Sequence, residues 1–181
     1  VLPLDKVSFL ENVGECTELD PILDELLALM NEGLIYREQL SVQLRAIVSL
    51  RHQASGKLYL EEYAERLLNE GRVGDALALC PAFLSQPGTE ETVLKILGDA
   101  VAAGKRKDIG RLFREYIWQH GVISIEGSRS PDLEQKREVI SRLLNLAPGG
   151  QLRAVLREVL KRVDAEIRTI KIEYEEDCVI W

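Results

Sequence analysis

The run Asn69-Glu70-Gly71-Arg72-Val73-Gly74-Asp75-Ala76-Leu77 returns in varied form as Ala102-Ala103-Gly104-Lys105-Arg106-Lys107-Asp108-Ile109-Gly110, and the two glycines, Gly71 and Gly104, lie 33 residues apart. Each follows one apolar-periodic helix and precedes another, so each is expected to form the tight turn of an αα-hairpin. Recurrence in the low thirties belongs to solenoids of stacked helix pairs. Such a period points to an architecture that works by binding along a surface.

The chain of 181 residues is long enough to bury a core, and 46% hydrophobic with 29% charged residues describes a globular chain. A single helical domain is expected over 20–172. An irregular lead-in carrying Pro3 and Gly14 precedes it over 1–19, and an acidic tail follows over 173–181. No apolar run approaches the roughly 18 residues that span a bilayer, so no membrane partner is expected. The start at Val1-Leu2-Pro3-Leu4, without Met or a basic leader, suggests a fragment or a processed product. Cys16, Cys80 and Cys178 are an odd number without Cys-x-x-Cys, and His52 and His120 sit in no ligand spacing. Free thiols, no metal, no cofactor and an intracellular setting, cytoplasmic or nuclear, are the expectation.

Eight helices are predicted. Asp20 and Pro21 mark the cap and first position of the first, whose apolar face includes Leu23, Leu26, Leu27 and Met30 before Gly33 stops it. The second runs about Arg37 to Gln53, with Ser55-Gly56 as a break before a third from Leu58 to Asn69. A fourth follows from Val73 to Leu84, with Pro81 inside it expected to kink it or end it early. Thr89 caps the fifth, and the sixth buries Ile109, Leu112, Phe113, Tyr116 and Ile117. Val122–Ile125 suggests a short extended piece and 127–130 a loop. Ser130-Pro131 opens the seventh helix and Ala147-Pro148-Gly149-Gly150 closes it. The eighth carries a stripe at Leu152, Leu156, Val159, Val163, Ile167 and Ile170. Alternation over 170–175 suggests a strand or an extended acidic tail. With turns near 33, 71, 104 and 149, the fold expected is all-α: a short right-handed α-solenoid of about four stacked antiparallel helix pairs.

The stretch from Glu65 to Leu79, a helix, a Gly-Arg-Val turn and an Ala-Leu helix, resembles the helical-repeat superfamily of tetratricopeptide and pentatricopeptide proteins. Leu97-Gly98 ahead of Gly104 is similar to the Leu-Gly pair of tetratricopeptide repeats. The resemblance spans roughly Tyr59 to Gln119 and implies stacked αα-hairpins with a groove for a partner. Only two copies keep the period, and most aromatic positions of the tetratricopeptide pattern are missing, so no base-reading residue is carried over.

Catalytic chemistry is not expected. Gly98 to Arg106 departs from a phosphate loop by one residue of spacing and by Arg106 in place of Ser or Thr. Glu61-Glu62 and Glu90-Glu91 lie at helix starts, where they complement the macrodipole. Cys178-Val179-Ile180-Trp181 fits a prenylation box formally, but the preceding Glu175-Glu176-Asp177 is repelled by an anionic membrane. The expected function is a non-enzymatic scaffold or adaptor that binds a protein partner, a peptide or a helix. Tyr36, Tyr59, Tyr116, Trp118 and Trp181 are the candidate anchors. Acidic residues near the N-terminus, Glu11, Glu15, Glu18, Asp20 and Asp24, favour a basic partner. The alternative is an RNA-binding helical domain. Residues 105–172 carry 15 basic and nine acidic groups, with Lys105, Arg106, Lys107, Arg111 and Arg114 at one turn and Arg153, Arg157 and Lys161 in an i,i+4,i+8 stripe. The long stripe of 150–172 also suits a homodimer.

Overall fold

A computed structural model describes residues 19–50, 53–118 and 130–178. Among them every regular element is a helix: α1 (Asp20–Asn31), α2 (Arg37–Leu50), α3 (Gln53–Asn69), α4 (Val73–Leu84), α5 (Glu90–Ala102), α6 (Arg106–Trp118), α7 (Ser130–Leu146) and α8 (Gly150–Cys178). The expected lead-in, the extended piece at Val122–Ile125, the 127–130 loop apart from Ser130, and both histidines lie outside the described residues.

Three of the turns are built alike. Gly33, Gly71 and Gly104 have φ of 75°, 75° and 74°, the left-handed region where a side chain is strained. In each, the glycine N–H donates to the carbonyl three residues back (Met30, Leu68 and Val101, all 3.0 Å). The next N–H reaches five back, to Leu29, Leu67 and Ala100, at 2.9, 2.8 and 2.8 Å. This paired closure satisfies the last carbonyls of α1, α3 and α5 and reverses the chain. The fourth turn differs, with Gly149 and Gly150 at φ 117° and 59°.

Burial follows the same 33-residue interval. Leu60, Tyr63, Ala64 and Leu67 of α3 are buried, as are Val93, Ile96, Leu97 and Ala100 of α5. Ala76, Leu79, Cys80 and Phe83 of α4 match Ile109, Leu112, Phe113 and Tyr116 of α6 in the same way.

Two compact units divide the chain, Val1–Ile96 and Leu97–Trp181, with the boundary inside α5. In the first, α1 packs on α2, α2 on both α3 and α4, and α3 on α4. Its core gathers Leu23, Leu27, Leu40, Leu44, Leu60, Leu67 and Phe83, each removed from water for about 2 kcal/mol. In the second, α8 packs on both α6 and α7. Leu152, Leu156, Val159 and Val163 are buried there, so the stripe proposed for a homodimer is covered by the chain itself as far as Val163.

Four local expectations need correction. Leu19, not Asp20, occupies the first cap and no side chain bonds there; the Asp20 carboxylate turns to α3 instead. Ser55-Gly56 lies inside α3, within its first turn, where backbone N–H groups need no intrahelical partner. Pro81 does not end α4 early, and the helix keeps its expected bounds, Val73 to Leu84. The carbonyl of Phe83 there accepts the Gln86 N–H at 2.9 Å and the Thr89 hydroxyl at 2.6 Å. The expected strand or tail beyond Ile170 is helix to Cys178, because no glycine or proline interrupts 151–178.

A Cβ built on Gly71 meets no atom within 4 Å, so the cost of substitution there is conformational alone. Gly71→Ala is expected to destabilise the fold by about 1–2 kcal/mol in urea unfolding, with the helical circular dichroism of the folded state unchanged.

Candidate partner-binding surfaces

The densest polar arrangement in the first unit joins α1 to α3 and to the Gly71 turn. Asp20 and Asp24 are one helical turn apart, as are Tyr59 and Tyr63, with Arg66 a further turn along, so each set shares a face. The Tyr59 hydroxyl and the Arg66 guanidinium both donate to Asp20, Nη2 of Arg66 at 2.9 Å. The Tyr63 hydroxyl donates to Asp24 at 2.6 Å, and Arg72 reaches the same carboxylate at 3.2 Å. Arg72 Nε also donates to Asp75 at 2.9 Å, whose other oxygen accepts from Asn31 at 2.9 Å. Arg66 stacks over the Tyr63 ring, 5.5 Å from its centroid.

Burial first, then the bond to Asp24, pushes the Tyr63 phenol well above its ordinary value. Bonds to Asp75 and Asp24 hold Arg72 firmly charged against partial desolvation. The Arg66–Asp20 pair is half exposed and contributes about 1 kcal/mol at most. Its main effect is to set how α1 lies on α3. Asp20 and Asp24, expected to attract a basic partner, are therefore engaged within the chain, as is Tyr59.

Tyr36 is the candidate anchor at the surface, 79% exposed beside Leu34 at 67%. Its backbone N–H donates to Gln39 Oε1 at 2.8 Å, which fixes the start of α2. Tyr116 is not at the surface but buried, with the Lys136 ammonium 5.2 Å from its ring centroid. Lys136 itself is buried, a residue missed by sequence reasoning. It occupies the 133-136-140-143 apolar spacing of α7, and that spacing was the available signal. The side chains of Trp118 and Cys178, and all of Trp181, lie outside what the structure describes.

The basic candidates belong to the second unit. Arg106, Lys107, Arg111 and Arg114 on α6, and Arg157 and Lys161 on α8, are exposed. Among the described residues none of these six makes an ion pair or hydrogen bond. Lys105 lies 4.0 Å from Asp108, and Arg153 is half-buried with no hydrogen-bond partner for its Nε among the described residues. By contrast, each basic residue over 58–96 is paired: Arg66 with Asp20, Arg72 with Asp24 and Asp75, Lys95 with Glu65 at 2.5 Å. The bond from Lys95 holds the Glu65 carboxyl below its usual range.

Two recesses flank α8. Toward α7, an open cleft of about 630 Å³ is bridged by Arg137 Nε donating to Asp164 at 2.6 Å. Toward α6, a smaller and more enclosed groove of about 270 Å³ lies between Gly110, Phe113, Arg114 and Ile117 on one side and Val159, Arg162, Ala165 and Glu166 on the other. Phe113, Ile117 and Val159 make its floor apolar; Arg114 and Arg162 stand at its edges, Arg162 held 3.2 Å from Glu158. Gly110 sits in mid-helix, where glycine costs about 1 kcal/mol relative to alanine, yet a Cβ built on it meets nothing within 4 Å. No packing among the described residues requires that glycine. Among the described residues no group of three or more His, Cys, Asp or Glu is placed to hold a metal ion, and no helix is long and apolar enough to cross a membrane.

Tyr63→Phe is expected to cost about 1 kcal/mol at neutral pH, since Asp24 keeps Arg72. The raised phenol value means that folding binds the Tyr63 proton more tightly. That contribution is whole below the ordinary value of 10.0 and falls as pH rises above it. Urea midpoints between pH 9 and 11 are expected to fall less steeply in Tyr63→Phe than in the wild type.

Searches against protein-family models, curated proteins and solved structures found no match to this chain.

Proposed function

We propose that this chain is a non-enzymatic helical-repeat module, a scaffold or adaptor built of stacked hairpins, that binds a protein partner. The reading is carried by one observation, the recurrence at a 33-residue interval of both the glycine turn and the buried positions around it. A chain that spends its sequence on equivalent hairpins gains extended surface, and extended surface serves recognition. Exposed Leu34 and Tyr36 add a second support, since large apolar side chains in water are the usual anchors of an interface.

The test is chemical crosslinking of the purified chain in extract, with mass spectrometry of what is retained. A defined set of proteins is expected, and Leu34→Ser/Tyr36→Ser is expected to reduce retention about tenfold or more without moving the thermal midpoint. Absence of any reproducible set in the wild type removes the reading. Retention untouched by the double substitution removes the Leu34–Tyr36 assignment alone.

A further inference from the structure

We infer that the groove between α6 and α8 is a docking site for an acidic amphipathic peptide segment of a protein partner, which places apolar side chains on the floor and carboxylates against the unpaired cations of the α6 edge. The inference rests on the interaction-module reading and names the partner's chemistry. Four observations converge on it, and they reverse the sign of partner that the N-terminal acidic residues suggested.

The first is electrostatic. Arg106, Lys107 and Arg114 lie along the side of α6 that carries Gly110, with Arg114 lining the groove, and none of the three side chains has a partner among the described residues, whereas the α8 wall carries Glu166 and an Arg162 already held by Glu158. Elsewhere in the chain, over 58–96, basic side chains are neutralised within the fold. A line of uncompensated cations beside a recess complements an anionic ligand.

The second is the floor. The exposed Ala165 and the rims of Ile117 and Val159, each 5% exposed, offer apolar surface over the buried Phe113 that a bare polyanion leaves unsatisfied. A volume of about 270 Å³ suits one or two apolar side chains. A helix with leucines on one face and glutamates beside them satisfies both features at once.

The third is Gly110, whose missing side chain leaves room at the groove and serves no contact among the described residues. Close approach of another backbone is the use that such a vacancy allows. The fourth bears on nucleic acid as the rival ligand: sequence-tolerant binding of single strands relies on aromatic platforms. Of the described aromatic side chains near the groove, Phe113 and Tyr116 are buried and present no open ring face.

The experiment titrates the 181-residue chain, by fluorescence anisotropy, into a labelled synthetic helix made of Leu and Glu at helical spacing. Parallel arms use the same peptide with Leu→Gln, the same peptide with Glu→Lys, and single-stranded polyuridylate. Binding of the Leu/Glu peptide is expected, with both altered peptides about tenfold weaker or more. Arg114→Glu and Gly110→Leu are expected to weaken it by a similar factor, while Gly110→Ala raises the thermal midpoint. Equal affinity for the Leu→Gln peptide, or full affinity in Gly110→Leu, overturns the proposal. Tight binding of polyuridylate without binding of the Leu/Glu peptide overturns it in favour of nucleic acid. The same two variants are then taken through the crosslinking assay. If the retained set is unchanged in both, the groove assignment falls while the module reading stands; if the wild type retains nothing, both fall.

Discussion

The left-handed glycine closure is the constraint on which the rest depends. An α-helix leaves its last carbonyls without partners, and burying them so is costly. At Gly33, Gly71 and Gly104 the chain adopts positive φ and returns two N–H groups to those carbonyls. That closure decides where α1, α3 and α5 stop and commits the next apolar run to a new helix. The wide apolar faces of α4 and α6 are then within a few residues of the faces they must cover, and burial does the rest.

Polar interactions refine this arrangement rather than create it. In the first unit Asp20, Asp24 and Asp75 take up Tyr59, Tyr63, Arg66 and Arg72, most of them partly exposed. Each bond adds little, but the set is geometrically exacting and admits one register of α1 against α3. Among its described residues the second unit lacks an equivalent set around its own bases on α6. Lys105 and Asp108 repeat the Arg72–Asp75 spacing at a looser 4.0 Å, and the remaining cations face solvent.

The helical class, the turn positions and nearly all of the core were legible in the sequence, because glycine and apolar periodicity are local signals. Where reading failed, the deciding partner was remote. Asp20 has the look of a cap, but Tyr59 and Arg66, some forty residues on, claim its carboxylate. Tyr116 reads both as part of the buried face of its helix and as an anchor, and burial, with Lys136 from α7 over its ring, keeps only the first. Pro81 was weighed as a breaker without knowing that the Thr89 hydroxyl and the Gln86 amide would serve the end of α4. The α6–α8 groove was invisible for the same reason. Its two walls are about 50 residues apart in the chain, and only Gly110, an unexplained interruption of a strong amphipathic helix, hinted at it.

Each positive-φ glycine also erases the rotational phase of the helix before it. A residue inserted early in α3 spins that helix's own faces but leaves α4 unturned, since Gly71 sets the next start afresh. Errors of length thus stay confined to the rod in which they arise.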